Sequence, residues 1–341
     1  MKKIFILFIL IASIAVTTFA QPEQSAKELH ETAKTFMRQG DYDNAILVIK
    51  RALEKDPTNL EILKDLAFLH FLKREYSQAM EVCKPLIERP DADVPTFQIL
   101  GLTYKAVAEY KECRKLYKKA LLKFPTSGVI YNEYGELLAM DNDLNAAIVQ
   151  WEKGIEVDAN YSSNYYNAVK YYSKNQEPDL FWIAIHGENF VNLESYTART
   201  TEIKKTVLEA YKKLYATTDL TSTVKNKTVG PFEKEVLETL NKSTSIAQDG
   251  INADNLMAIK TRFVLDWFEG KQTKYPCRLF EHYQHMLKEG IFDAYNQWLY
   301  GSVSNPAAYD LWIKTNSKEA DAFKKFQTAR IYKIPQGQYY K

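Results

Sequence analysis

The chain has 341 residues, with 45 basic against 43 acidic side chains and a formal net charge of +2. So even a balance argues against a nucleic-acid partner, because domains of that kind carry a one-sided basic excess. Twelve glycines and eleven prolines are few for a turn-rich β fold, and three cysteines (Cys83, Cys113, Cys277) cannot close a full disulfide framework, so packing between long helices must hold the chain.

The N-terminus reads Met1-Lys2-Lys3, then an uncharged apolar run from Ile4 to Val16, then Thr17-Thr18-Phe19-Ala20-Gln21. A short basic start, an apolar run below the about 20 residues that span a bilayer, and a small residue at the end predict a secretory signal peptide over residues 1–20, cut after Ala20. The alternative is an uncleaved anchor. No cysteine follows the cut to carry acyl chains, and no later stretch reads as a membrane segment. The expectation is a protein that is soluble after cleavage, without a membrane span, and periplasmic or secreted from a bacterial cell.

From residue 26 the sequence repeats. Tyr42 and Ala45, Tyr76 and Ala79, Tyr110 and Cys113, Leu144 and Ala147 follow one another at steps of 34. A second anchor precedes them (Ala33, Ala67, Gly101, Gly135) and a third follows (Ala52, Leu86, Ala120, Gly154) at the same step. Segment ends read Asp56-Pro57, Arg89-Pro90, Phe124-Pro125 and Asp158-Ala159. Small residues at a fixed step suit two helices whose backbones approach closely, and proline stops the second helix because it has no N–H to donate. One hairpin cannot bury its apolar face alone, so such units stack. In these residues the chain resembles the tetratricopeptide-repeat family, over about residues 26–159.

The resemblance implies four repeats at 26–59, 60–93, 94–127 and 128–161. A degenerate fifth is expected at 162–195, with Val169 in the small-residue slot and Pro178 in the aromatic one. The fold class is then all-α: a helical-hairpin solenoid over 26–195 and an irregular helical domain over 196–341.

Beyond Ser195 the 34-residue step is lost. Ile203, Val207, Leu208, Tyr211, Leu214 and Tyr215 form a helical stripe, and Thr217 to Gly230 reads as a loop. Pro231 suits the first turn of a helix running to Leu240. Further helices are expected at about 252–269, 276–289, 291–300 and 306–331. Gly290-Ile291-Phe292 resembles the turn between the two helices of a repeat. The region is rich in aromatic residues, which large rings at helical spacing would place in the core. An exposed aromatic docking surface is the other reading.

Candidate chemistry is sparse. Cys277, Glu281, His282, His285 and Glu289 share a predicted helix and are metal-ligand types, but Glu281-His282-Tyr283-Gln284-His285 departs from the His-Glu-x-x-His order of metalloproteases. No glycine-rich phosphate loop or nucleophile elbow occurs. Cys83 and Cys113 read as buried hydrophobes. No cofactor, no metal and no catalytic residue is assigned, and the expected partner is a protein or peptide.

In the family the first helix of each repeat lines a concave groove. Carried over by position, the groove residues are Lys34, with His30 beside it, then Lys64, Phe68 and Phe71. Leu102 and Lys105 with Gln98, Asn132 with Glu136, and Tyr166 with Lys170 complete the set. Asp65, Pro95 and Ile99 stand where the family's carboxylate clamp wants Asn, Lys and Arg, so a chaperone-tail function is not implied. Apolar Phe68, Phe71, Leu72 and Leu102 between Lys64 and Lys105 suit an extended peptide or amphipathic helix of some acidic character. The competing occupant is internal, the aromatic C-terminal region or the tail around Ile334 to Tyr340. The leading expectation is a non-catalytic interaction scaffold of the bacterial envelope. The alternatives are a metal-dependent enzyme or accessory factor with its site on the 275–300 helices, and a cell-wall or glycan binder.

Overall fold

The computed structural model describes residues 24–224, 229–329 and 331–341, and among them it contains helices and no strand. The signal-peptide expectation, residues 1–20, lies outside the described residues. None of the described helices is long and apolar enough to cross a membrane. The chain divides between Ala92 and Asp93 into two compact units.

The first unit holds α1 (Ala26–Gln39), α2 (Tyr42–Lys55), α3 (Leu60–Leu72) and α4 (Tyr76–Leu86). Ser25 and Glu28 close a reciprocal capping box at the start of α1, and Asp41 and Asn59 cap α2 and α3 through their side chains. Leu29, Ala33, Ala45, Ile49, Ala52 and Ile62 pack the centre of this unit.

The second unit begins with α5 (Val94–Ala106), α6 (Tyr110–Lys123), α7 (Gly128–Met140) and α8 (Leu144–Val157), and continues through α9 (Ser162–Lys174), α10 (Leu180–Leu193) and α11 (Ala198–Leu214). Neighbours in this series pack as successive antiparallel hairpins.

The 34-residue step is written into the backbone. Gly40, Arg74, Ala108 and Asn142 all have positive φ, at 78°, 63°, 59° and 64°. Each follows a first helix and closes the same pair of hydrogen bonds: Ala108 N–H to the Lys105 carbonyl and Glu109 N–H to the Tyr104 carbonyl in one, Asn142 to Ala139 and Asp143 to Leu138 in the next. This is the left-handed turn that satisfies the last carbonyls of a helix. Gly290, φ 67°, closes the same bonds, to Leu287 and from Ile291 to Met286.

The small residues face a partner that tracks their size. A Cβ on Gly101 would lie 2.1 Å from the Tyr117 hydroxyl, and one on Gly135 2.3 Å from Trp151 Nε1. The same second-helix position holds Ile49 and Cys83 in the first two repeats, where the first helix carries Ala33 and Ala67. Glycine therefore goes with a large ring and alanine with a smaller side chain, so the space between the two helices is filled in each case.

The fifth hairpin departs by two residues. Asp143 and Asp179 both cap second helices with their carboxylates, yet they stand 36 apart, because the connection after α9 is longer. With that offset Gly187 falls where Trp151 stands and Val169 where Gly135 stands. A Cβ on Gly187 would lie 2.3 Å from Val207 and 3.8 Å from Val169. The small residue has moved to the other helix.

Beyond α11 come a 3-10 turn at Leu220–Val224, then α12 (Pro231–Asn241), a second 3-10 turn at Thr244–Ala247, α13 (Ala253–Phe268), α14 (Lys271–Lys274), α15 (Arg278–Lys288) and α16 (Phe292–Asn296). A π-helical turn, Gln297–Gly301, leads into α17 (Ser302–Ser304), α18 (Pro306–Thr315) and α19 (Ser317–Ala329). The single helix expected over 306–331 is two. Asn316 lies between them at φ −113°, ψ 39°, its backbone and side-chain N–H groups both directed to the Trp312 carbonyl, the local competition with helix typical of asparagine.

Candidate functional site

On the first helices of the first unit, Phe68 and Phe71 are half-buried and stack at 6.1 Å between ring centroids, and Phe71 meets Tyr76 at 5.9 Å. The charges around them are already partnered. Lys64 is buried with its Nζ 2.6 Å from Glu61, Lys34 lies 3.1 Å from Glu31, and His30 Nε2 is 2.7 Å from Asp65.

In the second unit a polar ladder crosses the first helices. Lys105 Nζ lies 2.6 Å from Glu133 and 3.4 Å from Glu136, and Gln98 donates to the other Glu133 oxygen at 3.2 Å. Asn132, buried, donates to Glu136 and accepts from Asn167, both at 2.9 Å. Tyr166 donates its hydroxyl to Glu202 at 2.7 Å, and Lys170 pairs with Glu202 at 3.1 Å. Burial disfavours the Lys105 ammonium, yet Glu133 and Glu136 outweigh that and hold it above its ordinary pKa. Leu102 is half-buried beside this ladder. Both lysines that argued for an acidic ligand, Lys64 and Lys105, are therefore neutralised locally.

The metal-ligand types at 277–289 do not converge. His282 is buried among the rings of Tyr295, Phe326 and Tyr332, and His285 lies against Phe326. Cys277 precedes α15 with its thiol pushed by burial to about 12. Among the described residues no three His, Cys, Asp or Glu side chains are placed to share a metal ion. Burial likewise pushes Cys83 to about 12 and Cys113 to about 11.

Two acids that the sequence reading passed over organise the rest of the second unit. Lys50, Lys84 and Lys118 mark one exposed position of the second helix, repeated every 34 residues. The next step is Glu152, and with the two-residue offset the one after is Glu188. Both are buried.

Glu188 is fully buried, with Lys260 Nζ 2.6 and 2.7 Å from its two oxygens. Tyr211 and Tyr300 donate to one oxygen at 2.8 Å each, and Tyr283 and Tyr295 to the other. Burial drives the Lys260 pKa down against the pull of Glu188, and raises all four tyrosines well above their usual value. The π-helical turn serves this joint. It carries Tyr300, and its widened ring frees the Trp298 carbonyl to accept from Lys204 Nζ at 2.7 Å.

Glu152 accepts from the Tyr172 hydroxyl at 2.5 Å and from Tyr339 at 3.0 Å, and lies 3.1 Å from His186 Nε2. Desolvation opposes its charge, but His186, Tyr172 and Lys341 prevail and keep its pKa below the usual range. Tyr339 belongs to the tail, which does fold back. Its partners lie on α8, α9, α10, α12, the start of α15 and the α8–α9 turn, and do not include Lys105, Asn132, Tyr166 or Lys170.

The tetratricopeptide repeat family profile matches residues 36–100. In fold the chain is similar to a thermophilic tetratricopeptide-repeat protein of Thermus thermophilus, at 15% identity over 55% of this chain and 99% of that one, TM-score 0.44. It is similar also to a tetratricopeptide-repeat protein of Parabacteroides merdae, at 16% identity over 76% and 97%, TM-score 0.41, and to MamA of Desulfovibrio magneticus RS-1, at 14% over 54% and 96%, TM-score 0.38. With the profile match, and with turns, caps and small residues keeping one 34-residue register through α8, this chain carries tetratricopeptide repeats.

Proposed function

We propose that the protein is a non-catalytic scaffold of the bacterial envelope that binds a peptide or helix on the inner face of its first helices. The observation that carries this reading is the pair Phe68 and Phe71. Two stacked rings, half accessible on one helix and ringed by charges that are already paired, make an apolar ledge with a polar rim. That combination suits a ligand anchored by apolar side chains along an extended or helical backbone. The placement in the envelope rests on the basic and apolar pattern of residues 1–20.

One experiment tests both parts. Wild type and Phe68→Ala/Phe71→Ala are crosslinked in the native envelope, and the captured material and the mature N-terminus are sequenced. The expected result is a start at Gln21 and one protein captured by wild type and lost by the variant at unchanged helicity. A loss of helicity would make the two rings core rather than ledge. Capture that the variant leaves unaltered would remove the inner face from the reading.

A further inference from the structure

Residues 331–341, a strand of chain without regular secondary structure that turns at Gln336–Gly337, lie on the outer side of the fourth and fifth hairpins. The side-chain amide of Asn160 clasps the backbone of Ile334 twice, accepting from its N–H at 2.8 Å and donating to its carbonyl at 3.0 Å. Such a clasp reads main chain and is indifferent to side chain. Specificity comes afterwards. The Tyr339 hydroxyl reaches Glu152 at 3.0 Å, and the Tyr340 ring stacks on Phe232 at 4.5 Å and donates its hydroxyl to the Pro276 carbonyl at 2.8 Å. The Lys341 ammonium then enters a box, 4.4 Å from the Tyr172 ring centre, 4.7 Å from that of Trp182 and 3.3 Å from an Asp179 oxygen.

Two buried rings and a carboxylate around one ammonium are the components of a cation-recognition site. The box is also held by contacts that do not involve its occupant: Tyr172 is tied to Glu152, Trp182 Nε1 to Glu233 at 3.0 Å, and Asp179 is already the cap of α10. The occupant is buried in the middle and open at its ends: Tyr332 and Ile334 are 8% and 5% exposed, but Ile331 is 87% and the Lys341 side chain 24% exposed, with a cleft of about 520 Å³ open beside Glu152, Tyr172 and Tyr339. The outer position that is an exposed lysine in three repeats becomes Glu152 where the strand lies.

We propose that this outer face is a second peptide-recognition site, separate from the inner face, that takes a strand presenting tyrosines and a lysine ammonium from a partner protein, and that residues 331–341 occupy it in cis until displaced. The cis strand is a built-in competitor whose local concentration sets the threshold for the partner.

The test uses the full chain and a fluorescein-labelled synthetic peptide of residues 331–341, followed by anisotropy. Tyr340→Ala/Lys341→Gln, which weakens the cis strand, is expected to bind the peptide at least tenfold more tightly than wild type. Norleucine at the peptide's last position should weaken binding about fivefold, and trimethyllysine should not, because the attraction is to charge facing the rings. A helical variant that takes no peptide at about 1 mM overturns the proposal. So does equal binding of the norleucine peptide, or a variant that dimerises by exchanging its own strand. If the variant fails to fold, hydrogen exchange of the Ile334 amide in wild type decides. Opening about a hundredfold more frequent than global unfolding supports a displaceable ligand, and exchange only through global unfolding makes the strand a permanent part of the core. Phe68→Ala/Phe71→Ala should leave peptide binding unchanged, so failure of the inner-face reading and of this one are told apart.

Discussion

The repeats and the C-terminal helices of this protein are joined by different physics. Between the two helices of a repeat the joint is a matter of shape: a residue without a side chain, or with one methyl, receives a ring or an aliphatic group from the facing helix, as Gly101 receives Tyr117 and Gly135 receives Trp151. Between α10 and the helices after α11 the joint is a matter of charge and hydrogen bonding, Glu188 with Lys260 and four tyrosine hydroxyls. A shape joint can be copied every 34 residues, because each copy presents the surface the next one needs. A charge joint cannot be copied. It ends the series and fixes one partner, since a buried carboxylate accepts only an arrangement that supplies all its donors.

Breaking the charge joint should have the largest effect. Glu188→Gln leaves the Lys260 ammonium in a buried site with hydroxyls but no counter-charge. Loss of one member of a buried pair costs about 3–5 kcal/mol, and urea denaturation should show that loss in the unfolding of the second unit. Glu188→Gln with Lys260→Met removes both charges and should recover most of it. If the single change costs less than about 1 kcal/mol, the network is incidental and apolar packing around it holds the C-terminal helices.

Legibility follows the same division. The shape joints were plain in the sequence because they recur: small residues at 33, 67, 101 and 135 form a pattern that one copy would not. Glu188 and Lys260 occur once each, 72 residues apart, and nothing local marks them as a pair. One signal was available. The lysine row at 50, 84 and 118 changes to glutamate at 152, and a row of solvated charges that reverses sign marks the place where something covers it. The two-residue offset hid the second instance, since a strict 34-residue step from Glu152 lands on His186 rather than Glu188. The candidate groove residues were legible as positions on first helices, but not their pairing. That Glu133 takes Lys105 and Glu202 takes Lys170 depends on distances between helices that no spacing along the chain encodes.

The shape joint is tested by filling it. A Cβ at position 135 would sit 2.3 Å from Trp151 Nε1, with Trp151 buried and unable to swing away. Gly135→Ala should cost about 1–3 kcal/mol, the range for overpacking. Adding Trp151→Ile recreates the alanine–isoleucine combination that the chain already uses at 33 and 49, and should return part of the loss. A double variant no more stable than Gly135→Ala alone would show that the size correlation across repeats is not a packing rule.

The smallest effect expected is a gain. Of the four left-handed turn residues only Gly40 is glycine, and Arg74, Ala108 and Asn142 adopt the same conformation with a Cβ. That conformation costs a non-glycine residue about 1–2 kcal/mol, and glycine gives back about 0.5–1 through its more mobile unfolded chain. Ala108→Gly should therefore raise stability by about 0.5 kcal/mol in thermal unfolding, while Asn142→Gly should change little because asparagine tolerates this region through its own side chain. Gly40→Ala, with nothing within 4 Å of the added methyl, isolates the backbone effect and should cost about 1 kcal/mol. A loss for Ala108→Gly as large as that for Gly40→Ala would mean that the alanine methyl makes a contact worth more than its conformational strain, and the repeat turn would then be specified by side chains rather than by the backbone alone.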